Sequence, residues 1–387
     1  MVRTAAIGMA ALIGLAACGS TPVAATPSAT SSAAVTPTAG PTSAPLIVVA
    51  ETDSSGVTSD LKLYDLAGRL VTTFPVKKDV WPLAATGKRI FVQSSGRLKA
   101  IDRTGSIEDL GPLAVGPNEV AYIIPSPDGT HWLWRSSGST SSGADVTSIH
   151  EAGDGMSDRV VATGTKASPL QPYEWTTAAV MISHYPGFPF GLEAVTPFAP
   201  RFFQVSLDTL DLVSGTSTFV PGSDHCQPGD ISVRRLYACF VPGQSQTSSE
   251  NASRVLRLMP PTGPPIDVQL AKPQFTEAGD AWFSPSGTVL TLGGWDGTGH
   301  FNYPGQPPSS PPVGIHTYLV SLTGTITPFG PAGVQPALRT QTWLPGGLLL
   351  LRRQNGAIGG DPGLFVLDQN GQGPFIRDPG SPVGVIS

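Results

Sequence analysis

One short phrase recurs along this chain and limits its folds more than any other feature: an apolar strand, a turn on Gly, and a second strand. LKLYDLAGRLV (residues 61–71), LKAIDRTGSI (98–107), YLVSLTGTI (318–326) and LFVLDQNGQ (364–372) each carry it. Side chains in these stretches alternate with the two-residue period of a β-strand. The Gly then accepts a positive φ at no steric cost, as a tight hairpin requires. A companion phrase places a Pro-containing turn between two strands: IPSPDGTHWLW (124–134), WFSPSGTVLTL (282–292) and WLPGGLLLL (343–351). Pro fixes φ at the second turn position, and Asp or Ser with Gly completes the reversal. No stretch shows the 3.6-residue periodicity of an amphipathic helix three turns long. Joined in order, the two phrases give about seven units, starting near residues 46, 80, 118, 172, 224, 279 and 339. Their spacing of roughly 34 to 60 residues suits four-stranded sheets with loop insertions.

Composition agrees. Gly (45) and Pro (39) are abundant and charged residues make up only 13%, yet 40% of residues are apolar. Turn-rich, charge-poor and apolar together describe many short strands rather than a disordered chain. The turns Ser126-Pro127-Asp128-Gly129 and Ser284-Pro285-Ser286-Gly287 resemble those of TolB-like and WD-repeat β-propellers, and the resemblance extends over nearly all of residues 46–387. It implies an all-β fold: a single β-propeller of about seven four-stranded blades. Six or eight blades, and a pair of β-sandwiches, are the alternatives. The first unit lacks an inner strand, because Leu46-Ile-Val-Val-Ala50 already reads as a second strand. Residues 382–387 at the C-terminus are expected to supply the missing one, so that the N- and C-terminal strands close the ring and remove the last open edge.

The N-terminal residues carry a different message. Arg3 precedes an uncharged apolar stretch, Ala5 to Ala17, which as a helix would rise about 20 Å against a bilayer core of about 30 Å. Leu15-Ala16-Ala17-Cys18 resembles the bacterial lipoprotein signal. That resemblance implies cleavage before Cys18 and a diacylglycerol on its sulfur, whose two acyl chains give stable membrane anchoring where one chain is marginal. Gly19 to Ala44 are mostly Ser, Thr, Pro and Ala, without charge or aromatic residues, a composition that reads as a tether. The expected division is a signal peptide (1–17), a lipidated Cys18 with its tether (18–45) and a propeller domain (46–387). The expected location is the cell envelope, on the outer face of the plasma membrane. Of three cysteines, Cys226 and Cys239 remain after Cys18, and an oxidising compartment favours a disulfide between them over two free thiols.

Function is less legible. The formal net charge is −5 and no Lys/Arg stripe occurs, which argues against nucleic acid. No Gly-x-Ser-x-Gly elbow, Walker loop or close His/Cys/carboxylate spacing is present, so neither catalytic residue, metal nor cofactor is assigned. In a propeller, long connections between second and third strands share one face with the blade-to-blade links, and elaborate loops on a rigid scaffold carry function. Two such stretches are rich in His and aromatic residues: His184, Tyr185, Phe188 and Phe190, and Trp295, Asp296, His300 and Tyr303. They are the candidate ligand-binding residues, with packing between blades as the alternative role. The leading expectation is a monomeric binding or scaffold module for a protein or glycan, held to the membrane by its lipid. The alternatives are an envelope glycan hydrolase or lyase at the channel mouth, and a plain spacer.

Overall fold

The computed structural model describes residues 44–387 except 53–57, 77–78, 116–119, 140–144, 185–205, 225–226, 242–254, 271–276, 296–314, 331–337 and 354–362. Its strands are β1 (Leu46–Thr52), β2 (Thr58–Asp65), β3 (Leu70–Pro75), β4 (Val80–Thr86), β5 (Arg89–Ser94), β6 (Arg97–Ile101) and β7 (Ile107–Pro112). There follow β8 (Ile123–Pro125), β9 (His131–Ser139), β10 (Asp145–Gly153), β11 (Met156–Thr165), β12 (Leu170–Trp175), β13 (Val180–His184), β14 (Ser206–Leu210) and β15 (Ser217–Phe219). Then come β16 (Gln227–Ile231), β17 (Tyr237–Val241), β18 (Val255–Met259), β19 (Ile266–Gln269), β20 (Glu277–Phe283), β21 (Val289–Trp295), β22 (Ile315–Ser321) and β23 (Ile326–Phe329). The last are β24 (Leu338–Leu344), β25 (Leu348–Arg353), β26 (Gly363–Leu367), β27 (Phe375–Ile376) and β28 (Ser381–Ile386).

The described residues are thus nearly all β, and their sheets are four-stranded antiparallel meanders. Strands β8 to β27 fall into five such quartets in chain order. The remaining strands form one eight-stranded sheet, β3-β2-β1-β28-β4-β5-β6-β7. It consists of two quartets joined at a single parallel pairing, Gly384 with Ala85. Strand β1 therefore has β2 on one side and the C-terminal β28 on the other, in the register Leu46 to Ile386 and Ile47 to Val385.

The recurrent phrases become recurrent turns. In four quartets the third-to-fourth-strand turn closes with the same bond: Gly68 N–H to Asp65 O, Gly105 to Asp102, Gly324 to Ser321 and Gly371 to Asp368, each 2.9–3.0 Å. These four glycines have φ between 75° and 89°. The side chain that opens the turn also caps it. Asp102 Oδ1 accepts from the N–H groups of Thr104 and Ser106, and Asp368 Oδ1 from those of Asn370 and Gln372.

Second strands read as unbroken apolar runs because both of their faces are buried. Ile47 and Val49 of β1 pack on Leu344, Leu350 and Val366, while Leu46, Val48 and Ala50 pack on Ala85, Ile90 and Val92. Trp132 and Trp134 of β9 meet Phe91 and Leu98, while Leu133 between them meets Val180 and Ile182. The core is thus a series of layers between consecutive quartets, not one central mass. Full burial of one such Leu or Ile contributes about 1.5–3 kcal/mol.

First strands carry a shared irregularity. The register skips one residue between Pro82 and Ala84, between Pro172 and Glu174, and between Pro228 and Asp230. On β28 it skips between Pro382 and Gly384 opposite Val49 and Val48. Each is a β-bulge that begins on a Pro, a residue a sheet tolerates at an edge strand or bulge because it has no N–H to donate. First strands of successive quartets also touch one another: β28 with β4, β4 with β8, β8 with β12, β16 with β20, β20 with β24, and β24 with β28.

Candidate functional site

Antiparallel pairing puts the start of each first strand beside the end of the second and the start of the third. In the β12 quartet, Leu170, His184 and Ser206 lie side by side. His184, Ser206 and the link carrying Ser168 from β11 therefore meet at one end of the sheet. His184 is half-buried there and both of its ring nitrogens are engaged. Ser168 Oγ lies 2.8 Å from Nδ1, and Asp208 Oδ2 lies 3.0 Å from Nε2. Asp208 is buried on β14, at 7% exposure. A buried carboxylate thus fixes the His ring, and the ring in turn fixes the blade-to-blade link. Among the sequence candidates, His184 is the one whose side chain is described. Trp295 ends β21, with its side chain outside the described residues. Tyr185, Phe188, Phe190, Asp296, His300 and Tyr303 lie outside them too, as do Cys18 and Cys226. Cys239 is fully buried on β17.

The same end of the molecule carries exposed aromatic surface. Trp81 near the start of β4 and Tyr122 just before β8 are each 43% exposed, and Val120 is 45% exposed. Gln93, opposite Trp81 on β5, ties these segments together, with its Oε1 accepting from the Ala121 N–H at 2.7 Å. Aromatic side chains around a polar anchor suit recognition of a ligand with both apolar and hydroxyl faces.

A second Ser–His–Asp relay lies on the neighbouring quartet. His150 Nε2 is 2.9 Å from Ser136 Oγ and Nδ1 is 2.9 Å from Asp158 Oδ2. Its ring stacks on Trp134 with centroids 4.0 Å apart, and Trp134 Nε1 donates to the other oxygen of Asp158. The spacing is that of a nucleophile, a base and an orienting carboxylate. Yet the four side chains close on one another across β9, β10 and β11, and their work is to fasten that long meander. The Asp158 carboxylate is the most open of the bonded groups, at 48% exposure.

Two acids on the first strands were not among the candidates that the sequence offered. Glu174 on β12 and Asp230 on β16 occupy equivalent places, each the second residue after the bulge Pro. Asp230 is 8% exposed. Glu174 Oε2 and Asp230 Oδ1 both accept from the Ile231 N–H, at 3.1 and 2.8 Å, and Asp230 Oδ2 accepts from the Phe283 N–H of β20. Burial pushes both carboxyls up, Asp230 to about 6, and the proximity of Asp230 raises Glu174 further. The signal was present as Pro-x-Glu and Pro-x-Asp at residues 172–174 and 228–230. The pair lies toward the short-turn end of the strands, away from the His184 end. Among the described residues no group of three or more His, Cys, Asp or Glu is placed to hold a metal ion.

No protein-family model matches the chain, and no curated protein matches it either. Solved structures do. The chain is similar to oligogalacturonate lyase from Vibrio parahaemolyticus, with 10% identity, a TM-score of 0.52, and coverage of 84% of this chain and 92% of that one. It is also similar to the acylaminoacyl peptidase of Pyrococcus horikoshii, with 10% identity and a TM-score of 0.53, over 86% of this chain and half of that one. At such identity the likeness is one of fold, and the fold is β-propeller-like.

Proposed function

We propose that this chain is an exported, lipid-anchored envelope protein whose seven-bladed propeller binds a protein or glycan at the end where the long connections meet. The observation that carries the reading is the Ser168–His184–Asp208 relay. It anchors the root of the 185–205 connection to a buried carboxylate, which is what a rigid binding loop needs at its base. The exposed Trp81 and Tyr122 at the same end add an aromatic contact surface. Support for seven blades and a closed ring comes from the succession of touching first strands and from the pairing of β28 with β1. Tyr173 Oη, which donates to Gly229 O at 2.8 Å, supplies the step between β12 and β16. The lipid sits on Cys18. A Cys226–Cys239 disulfide fits a chain that enters β16 directly after Cys226 and pairs Gln227 with Phe240.

The test is binding of the mature protein to envelope polysaccharide and to envelope protein fractions. Replacing residues 185–205 by a short Gly/Ser linker is expected to abolish binding while far-ultraviolet circular dichroism stays unchanged; equal binding would overturn the reading. Cys18→Ser is expected to move the protein from the detergent phase to the aqueous phase.

A second reading, cleavage of an acidic glycan, draws on likeness to a lyase over nearly all of that enzyme's chain. Incubation with polygalacturonate, read by the ultraviolet absorbance of an unsaturated uronide, separates the two. Turnover that disappears in His184→Ala would make the loop-bearing end an active site.

A further inference from the structure

The Glu174–Asp230 pair belongs to no binding surface, and its geometry poses a problem of its own. Two carboxyl groups converge on one N–H, that of Ile231. Two full negative charges within hydrogen-bonding distance of one donor, with little water, repel strongly. The arrangement is consistent only if a proton lies between them. Glu174 has that single backbone donor, whereas Asp230 has two, from Ile231 and Phe283. Backbone donors favour the charged form, so the charge settles on Asp230 and the proton on Glu174, which then donates to Asp230.

We propose that Glu174 and Asp230 share a proton and act as an acid-tightened clasp across three successive quartets. Glu174 comes from the β12 quartet, Asp230 and Ile231 from the β16 quartet, and Phe283 from the β20 quartet. Each acid reaches forward to an N–H that the next first strand leaves free on its bulged edge. The clasp thus replaces the backbone pairing that joins β28 to β4.

The surroundings leave the pair short of compensating charge. On β12, Tyr173 is turned to Gly229 O. The turn between β16 and β17 brings Arg234 and Arg235, and β17 brings Tyr237. Burial raises the Tyr237 phenol, Arg235 opposes that and the nearby Glu174 adds to it. On the β9 side His131 faces Trp175, the neighbour of Glu174, with ring centroids 6.2 Å apart. The side chains of Glu277 and Asp280 on β20 lie outside the described residues. No cation is hydrogen-bonded to either carboxyl among the described groups, so protonation is what relieves the pair.

The direction of the pH effect follows. Both acids bind protons more tightly in the folded chain than in the unfolded one. Their contribution is complete below the ordinary carboxylate range, near pH 4; part of it is lost as pH rises through about 6, where Asp230 ionises, and the remainder goes only when Glu174, raised further, gives up the shared proton. Folding therefore takes up protons at mildly acidic pH, and the seam is tightest in acid.

The experiment is thermal melting of the full mature protein from about pH 4 to about pH 8, for wild type, Glu174→Gln and Asp230→Asn. Gln at 174 mimics the protonated acid. Its melting temperature is expected to exceed that of wild type by several degrees at the alkaline end and to vary less with pH. Asn at 230 removes the accepting charge and is expected to melt lower throughout. Infrared difference spectra at neutral pH give a second readout: a protonated-carboxyl band present in wild type and missing in Glu174→Gln. A Glu174→Gln protein whose melting follows the wild-type pH profile, or a wild type without the band, would overturn the proposal.

Discussion

Two seams between neighbouring quartets solve the same problem differently. At the β28–β4 seam the residue two places after the bulge Pro is Gly384, and on β4 it is Ala84. The strands come close enough for Gly384 to pair directly with Ala85. A Cβ on Gly384 would lie 2.2 Å from Ala85 O, and its φ of 151° suits Gly. At the β12–β16 seam the same place holds Glu174 and Asp230, and carboxylates reach the N–H groups that backbone cannot. One slot of the repeat thus decides, by side-chain size, whether sheets join through main chain or through acids. The Gly384–Ala85 pairing is made by backbone groups, which do not titrate. The acidic seam is strong only where the charge is relieved.

The comparison can be broken at either seam. Gly384→Val should have the largest effect, since it strikes backbone rather than a flexible side chain. A loss of about 4 kcal/mol or more is expected in urea unfolding, and a loss under about 1 kcal/mol would mean that the strand pairing is dispensable. Asp230→Ala comes next. It leaves the Phe283 N–H without its acceptor and the Ile231 N–H with Glu174 alone, and should cost about 2–4 kcal/mol by the same measurement. Tyr64→Phe sharpens the contrast on the small-residue side. Tyr64 Oη donates to the buried Asp378 at 2.5 Å, Asp378 precedes β28, and Lys62 lies 3.4 Å from the same carboxylate oxygen. Loss of that hydroxyl should cost about 1–2 kcal/mol and speed proteolysis of the C-terminal strand. Arg69→Ala, in a turn remote from both seams, removes an ion pair to Asp65 that is open to solvent. It should change stability by under about 0.5 kcal/mol.

Sequence reading captured the strands because each depends on local rules. Two-residue alternation, apolar second strands and Gly turns are decided by near neighbours. The expected unit starts near 46, 80, 118, 172, 224, 279 and 339 accordingly fall close to Leu46, Val80, Ile123, Leu170, Gln227, Glu277 and Leu338. The site was legible only as residue types. His184 stood out as a His at the base of a long aromatic connection. Its partners Ser168 and Asp208 lie 16 and 24 residues away and carry no local mark. Glu174 and Asp230 looked like isolated acids in a charge-poor chain. Their partnership arises from stacking two copies of one bulge, a relation that appears only when repeats are aligned on Pro172 and Pro228.

The pairing of β1 with β28 also orders events in time. During synthesis Leu46–Thr52 emerges well before its second neighbour, β28, which follows every other described strand in the chain. Until then one apolar edge of β1 stays open, and the layer between the first and last quartets has no floor. Completion of the layer between the first and last quartets therefore waits for β28, the partner of β1 most distant from it in sequence.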